Sequence, residues 1–250
     1  MFYQGCSMKK KIILLFLILV SCSNSSHIST SQIINKSIKA HGWDQDDFSI
    51  VFDFRDYQYE LKRKNKFYSF QRTTKKEGNV VKDLMSSKKK LKRFINNKSV
   101  ELSDSMTNVF SNSLNSVMYF FQLPRPLKDQ AVITKYLGLA KIFNEKYWTI
   151  KVTFKENGGG KDYQDEFRYW ININNGQIDY LAYNYLTEGG GTRFRQAVNK
   201  QLNQGFIFQD YINFKPNVKF VSLDSLPILF EAGNLIKVSN IKNKNIRVTK

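Results

Sequence analysis

Phe48-Ser49-Ile50-Val51-Phe52-Asp53-Phe54, a break at Arg55-Asp56, then Tyr57-Gln58-Tyr59-Glu60-Leu61, is the stretch on which the fold turns. Large apolar side chains fall on every second residue either side of the break, which is the period of a half-buried strand. Two polar residues permit only an antiparallel return, because a parallel neighbour needs a crossover of about a dozen residues or more. The same signature recurs downstream at 66–72, 79–85, 91–95 and 99–102, with short polar turns such as Lys64-Asn65 and Asn96-Asn97 between the runs. A second block repeats it: Trp148, Ile150, Val152 and Phe154 alternate, then Phe167, Tyr169, Ile171 and Ile173, then Ile178, Tyr180 and Ala182. Phe206, Phe208 and Tyr211, with 235–238 and 246–248, complete an antiparallel set of about ten strands, enough to make an open sheet curl strongly.

Two helical signals interrupt the strands. Ser29-Thr30-Ser31 offers capping hydroxyls, Ile34, Ile38 and His41 recur at helical spacing, and Gly42 stands where a C-terminal cap belongs, so a helix is predicted over 31–41. Between 107 and 121 the stripe is Val109, Phe110, Leu114, Val117, Phe120 and Phe121, and Leu123-Pro124-Arg125-Pro126 ends it. A second short helix around 130–136 is expected to complete a helical lid at 107–136. The apolar stripe of such a lid must be buried against one face of the sheet. The expectation is therefore an α+β fold: a strongly curved antiparallel half-barrel with an N-terminal helix and a helical lid, forming one domain over 31–250.

The chain has 250 residues, 42% apolar and 14% aromatic, a composition that folds. Its formal charge of +18 implies anionic surroundings, whether lipid head groups, acidic glycans or nucleic acid. With 2 Cys and 2 His, a disulfide scaffold, a zinc ribbon and a multi-histidine metal site are excluded. No GxSxG, HExxH, CxxC or GxGxxG signature is present, so no cofactor and no metal is implied. The basic run Lys88-Lys89-Lys90-Leu91-Lys92-Arg93 has two readings, a solvated edge blunted by charge or a contact for phosphate-bearing head groups. It lacks the interleaved aromatics of a nucleic-acid platform, so no specific nucleic acid is expected. Nothing in the residues sets an oligomeric state.

The N-terminus reads as an address. Lys9-Lys10-Lys11 and the apolar run 12–20 have the form of a secretory signal peptide over 1–21, with Met8 as the expected start. The apolar run is too short to span a hydrocarbon core, which takes about 20 residues. Leu19-Val20-Ser21-Cys22 resembles a lipobox, so Cys22 is expected to be acylated and to tether the chain to a membrane, with 22–30 as linker. Each buried methylene contributes about 0.8 kcal/mol, which makes anchoring by several acyl chains lasting. Ser23 after the acylated Cys fits the outer membrane, and the absence of an acidic cluster favours the periplasmic face.

Chemistry has two candidate seats. Successive hairpins turn at opposite ends of a meander, which sets Gly158-Gly159-Gly160 and Gly189-Gly190-Gly191 at one end, beside Glu156, Asp162, Glu188, Arg193 and Arg195. Glycine amides can form an anion nest and carboxylates can exchange protons; the simpler reading is hairpin turns with surface ion pairs. His41 and Arg55 join this polar set as candidates, His41 more simply as a hydrogen-bonded core histidine. The other seat is the inner face of the curled sheet, where Phe110, Leu114, Val117, Phe120, Phe121, Trp148, Tyr169 and Tyr180 either fill a core or line a pocket for an acyl chain. Three functions follow: a binding protein for an apolar ligand, an envelope hydrolase or lyase using the carboxylates, and a scaffold that presents a surface to partners.

His41-Gly42, Phe52-Asp53-Phe54-Arg55, Asn115-Ser116-Val117-Met118-Tyr119-Phe120, Leu123-Pro124, Gly158-Gly159-Gly160, Asp162-Tyr163, Tyr169-Trp170, Asp179-Tyr180-Leu181-Ala182-Tyr183 and Gly189-Gly190-Gly191-Thr192-Arg193-Phe194-Arg195 occur in order. Across roughly 40–215 they resemble a family of uncharacterised Bacteroidetes cell-envelope lipoproteins, which implies an envelope location and supplies no catalytic residue. Some relatives carry a deoxyribose-phosphate aldolase label, but the alternating helices of a βα barrel are missing here. The element order is also similar to the fold of the outer-membrane lipoprotein carriers, LolA and LolB, in which a concave apolar face shelters acyl chains.

Overall fold

The computed structural model describes Met1 and residues 28–87, 89–157 and 163–250, with Glu188 described by its backbone alone. The leader, Cys22, Lys88, the run Gly158-Gly159-Gly160 and Asp162 lie outside the described residues.

Helix α1 (Thr30–Ala40) precedes six strands: β1 (Phe48–Phe54), β2 (Tyr57–Lys64), β3 (Phe67–Lys76), β4 (Asn79–Ser86), β5 (Lys89–Ile95) and β6 (Lys98–Val100). Helix α2 (Asp104–Phe121) follows, and then β7 (Val132–Ile142), β8 (Glu145–Phe154), β9 (Glu166–Asn172) and β10 (Ile178–Tyr185). Strands β11 (Gly191–Asn203) and β12 (Phe206–Lys215), helix α3 (Leu226–Glu231), β13 (Ile236–Ile241) and β14 (Lys244–Thr249) complete the chain.

All pairing is antiparallel, in two curved, unclosed sheets of seven strands. The first runs β14-β1-β2-β3-β4-β5-β6 and the second β13-β12-β11-β10-β9-β8-β7. The opening stretch does what its period dictates: Phe48, Ile50, Phe52, Tyr59 and Leu61 are all buried on one face. Consecutive strands β13 and β14 part company, β13 pairing with β12 and β14 with β1, so one hairpin stitches the two sheets together. Asn243 and Asn245 fasten this seam by hydrogen bonds to Asp210 and Asp53 at 2.9 and 2.7 Å.

Both long helices sit on the shared inner face. Helix α1 buries Ile33, Ile34 and Ile38 and carries a capping box, with Ser29 accepting from Gln32 N while the Gln32 side chain accepts from Ser29 N. Its end needs Gly42: φ is +72°, and a Cβ there would lie 1.8 Å from the Gly205 carbonyl oxygen. Trp43, just beyond, is fully buried against Phe48, Phe121, Phe206 and Phe208.

Two expectations need correction. Residues 130–136 are not a second lid helix: a short 3-10 turn (Arg125–Lys128) follows α2, and β7 begins at Val132. The run Val132-Ile133-Thr134 is β-branched and favours the pleated state, and β8 is there to pair with it. The lid is therefore one helix. The strand count is also higher than about ten, because β7 and the polar, Gly-led β11 add long strands whose alternation is weak in the residues alone.

Candidate functional site beneath helix α2

Helix α2 begins at Ser103, whose hydroxyl accepts from Met106 N, and only Leu114 and Met118 on it are fully buried. Phe110, Val117, Tyr119, Phe120 and Phe121 are half-buried against the common core, while Met106 and Val109 are exposed. Its two halves meet different chemistry.

The N-terminal half lies over a ladder of charges. Arg72, Asp83 and Arg93 are direct cross-strand partners on β3, β4 and β5. Asp83, 1% exposed, is reached by Arg72 Nε at 2.8 Å and Arg93 Nε at 2.7 Å. Arg72 also donates to the Ser113 hydroxyl at 2.8 Å, and the Arg93 guanidinium stacks 3.4 Å from the Phe110 ring centre. Two cations and one anion, mutually hydrogen-bonded, satisfy one another where water is scarce.

The C-terminal half lies in an aromatic box bridging both sheets. Phe121 stacks on Phe52 at 3.7 Å and on Phe208 at 5.4 Å. Phe120 meets Phe167 and Tyr183 of the second sheet. The Tyr119 and Tyr169 hydroxyls share a hydrogen bond of 2.9 Å, and Gln209 Nε2 donates to the Tyr211 hydroxyl at 2.6 Å. Burial pushes the Tyr211 hydroxyl up to about 12 and raises Tyr119 and Tyr169 further, so all three stay protonated and neutral. Among them sits Arg195, its guanidinium 3.9 Å from the Phe120 ring centre and donating from Nη2 to the Tyr183 hydroxyl at 2.8 Å.

The structure thus gathers Leu114, Val117, Phe120, Phe121, Tyr169 and Arg195 under or on α2, with Phe110 over the charge ladder. Trp148 is on the same face but beneath α1, with Lys36 Nζ 4.7 Å from its ring. Tyr180 falls on the outer face among Trp170, Phe194 and Phe230, because a bulge between Ile178 and Tyr180 breaks the alternation.

The polar candidates disperse. His41 is buried and accepts from Ile178 N at 3.1 Å, and its burial lowers its pKa to about 4, with Lys200 assisting. Arg55 forms the exposed β1–β2 turn at φ +52°, and Glu156 is exposed at the end of β8. Arg193 lies half-buried over the Tyr185 ring, donating to its neighbour's carbonyl. Asp162 and the Glu188 side chain lie outside the described residues. Tyr119, Tyr183 and Tyr211 were legible as motif or strand residues but not as members of the site, and the Asp83 ladder went unread. Tyr119 adjoins the apolar stripe of α2, a signal within reach, whereas the ladder needs the register of three strands. Among the described residues no group of His, Cys, Asp and Glu is placed to hold a metal ion.

A family model described as "Family of unknown function (DUF6503)" matches residues 9–243. The chain belongs to this family. No curated protein matches the sequence. Among solved structures, a LolA superfamily protein of Nitrosomonas europaea is similar at TM-score 0.50 and 14% identity, over 89% of this chain and 94% of that one. A domain assigned to outer membrane lipoprotein sorting in Vibrio parahaemolyticus gives TM-score 0.48 and 6% identity, over 87% and 91%. The lipoprotein LppX of Mycobacterium tuberculosis gives 0.27 and 10%, over 65% and 91%. The first of these likenesses establishes a LolA-like fold, and DUF6503 membership carries no activity with it.

Proposed function

We propose that this DUF6503 protein is a lipid-anchored binding protein of the cell envelope that holds an acyl chain or another apolar ligand between the inner wall and α2. The observation that carries the reading is the half-buried state of α2. Over the aromatic box the wall is covered by α2, an amphipathic helix with two fully buried residues. A roof with so few deep contacts separates at lower cost than a core element. The LolA-like fold is in keeping with it.

Two clefts, of about 690 and 570 Å³, open at the rim around Arg63 and not beneath α2. Neither cleft is a pocket under the lid, so this reading requires α2 to lift from the space it fills to admit the chain. The tether is Cys22, at the outer membrane and on its periplasmic face, since Leu19-Val20-Ser21-Cys22 and Ser23 fit lipoprotein processing and sorting. Among the described residues no helix is long and apolar enough to cross a membrane. Of the three carboxylates in the hydrolase or lyase reading, only Glu156 has a described side chain, and it is exposed.

The test is lipid extraction of purified protein with mass spectrometry, together with displacement of a fluorescent apolar probe. Co-purified acyl chains and probe displacement are the expected results. Lipid-free protein that binds no probe, even when Leu114→Ala loosens the helix, overturns the reading.

A further inference from the structure

Three arginines are buried within the described residues: Arg72 at 4% exposure, Arg168 at 5% and Arg195 at 9%. The first two each have a carboxylate partner. Arg72 reaches Asp83 at 2.8 Å, and Arg168 reaches Asp224 at 2.7 Å and Glu166 at 2.8 Å. Among the described residues no carboxylate reaches Arg195, and its Nε is buried without a hydrogen-bond partner. A second unsatisfied atom stands beside it. Asn213, the direct cross-strand partner of Arg195 on β12, is 8% exposed and its Oδ1 also lacks a partner.

A buried cation without an anion is costly, by several kcal/mol on general grounds, and a fold retains one where something else supplies the anion. The surrounding tyrosines do not, since burial keeps Tyr169 and Tyr211 protonated. The Phe120 ring on α2 covers one face of the guanidinium at 3.9 Å. It satisfies part of the charge through its π-face but accepts no hydrogen bond along the guanidinium edge. Lifting α2 removes Phe120 from that face and opens the guanidinium to a ligand lying on the wall formed by Phe167 and Tyr169.

We propose that Arg195 is the receiving point for the anionic head of the ligand, so that the ligand class is an acyl chain ending in a carboxylate or a phosphate. This rests on the apolar-ligand reading and narrows it. The head group takes the unpartnered Nε–H of Arg195 in a charge-assisted hydrogen bond. The chain runs under α2 against the aromatic wall.

The test compares palmitate, methyl palmitate and a palmitoyl glycerol phosphate in titrations of the full chain at pH 8, with Arg195→Gln and Arg195→Lys variants checked for folding by circular dichroism. The expected result is binding of at least one anionic probe ten-fold or more tighter than the ester. That preference vanishes in Arg195→Gln and falls several-fold in Arg195→Lys. Which anionic probe binds tighter distinguishes a fatty acid from a phospholipid. Equal binding of acid, phosphate and ester by the wild type overturns the proposal and leaves the apolar-ligand reading standing, as does a preference undiminished in either folded variant. Binding of none of the three overturns both.

Discussion

The two sheets have the same number of strands and the same antiparallel ladder, yet the first buries one face and the second buries both. In the first, β2 runs Tyr-Gln-Tyr-Glu-Leu-Lys-Arg-Lys, alternating inward apolar residues with outward polar ones, and its outward Lys62 stays wet. In the second, β9 is buried from Phe167 to Asn172, with Phe167, Tyr169 and Ile171 inward and Trp170 outward. The chain after β12 makes the difference. Leu223, Leu226 and Phe230 fold back over the outer face and close a second core around Trp170, Tyr180 and Phe194. Arg168 pins that cover by bonds to Asp224 at 2.7 and 3.1 Å. The second sheet is the rigid half, and the first is the half where one-sided burial leaves stability to the inner face.

If this is right, the largest loss in the first sheet comes from inside. Asp83→Ala strands two guanidinium groups beneath α2 and is expected to cost about 3–5 kcal/mol in urea unfolding. On the outer faces the sheets should part: Trp170→Ala costs about 3–5 kcal/mol, whereas Leu84→Ala, 36% exposed on the first sheet, shifts stability by only about 0.5 kcal/mol. Equal losses at Trp170 and Leu84 would erase the distinction.

A pH experiment sharpens it from the side of α1. His41 binds its proton at about 4 in the folded chain against 6.5 unfolded, so the unfolded state takes up the proton first. Stability is full above about pH 6.5 and is lost as pH falls towards 4, by about 3 kcal/mol in all. His41→Gln is expected to flatten that part of the stability–pH curve. Ser29→Ala is milder, removing the α1 cap for about 1 kcal/mol without touching the contacts of α2.

Much of the wall was legible because its inward residues repeat with period two, as Phe48 to Leu61 show, and α1 announced itself by its cap and Gly42. The rest was hidden for physical reasons. A strand buried on both faces loses its alternation, and a bulge reverses it, which is why Tyr180 reads as inward and sits outward. At an edge, Val132 to Tyr136 fit either period until β8 pairs with them. Phe120, Tyr169 and Arg195 could each be singled out, but their meeting depends on the crossing of α2 over β9 to β11, which no local pattern encodes. The missing carboxylate beside Arg195 is visible only once every neighbour is known.

The splayed hairpin carries a consequence for how the molecule is made. Ser49 finds its partner at Thr249, nearly the full length of the chain away, while every other neighbour of the first sheet is adjacent in sequence. Contacts of such separation are slow to form. A chain synthesised from its N-terminus therefore carries β1 as a bare, hydrogen-bond-hungry edge, open to stray pairing until β14 has arrived to occupy it.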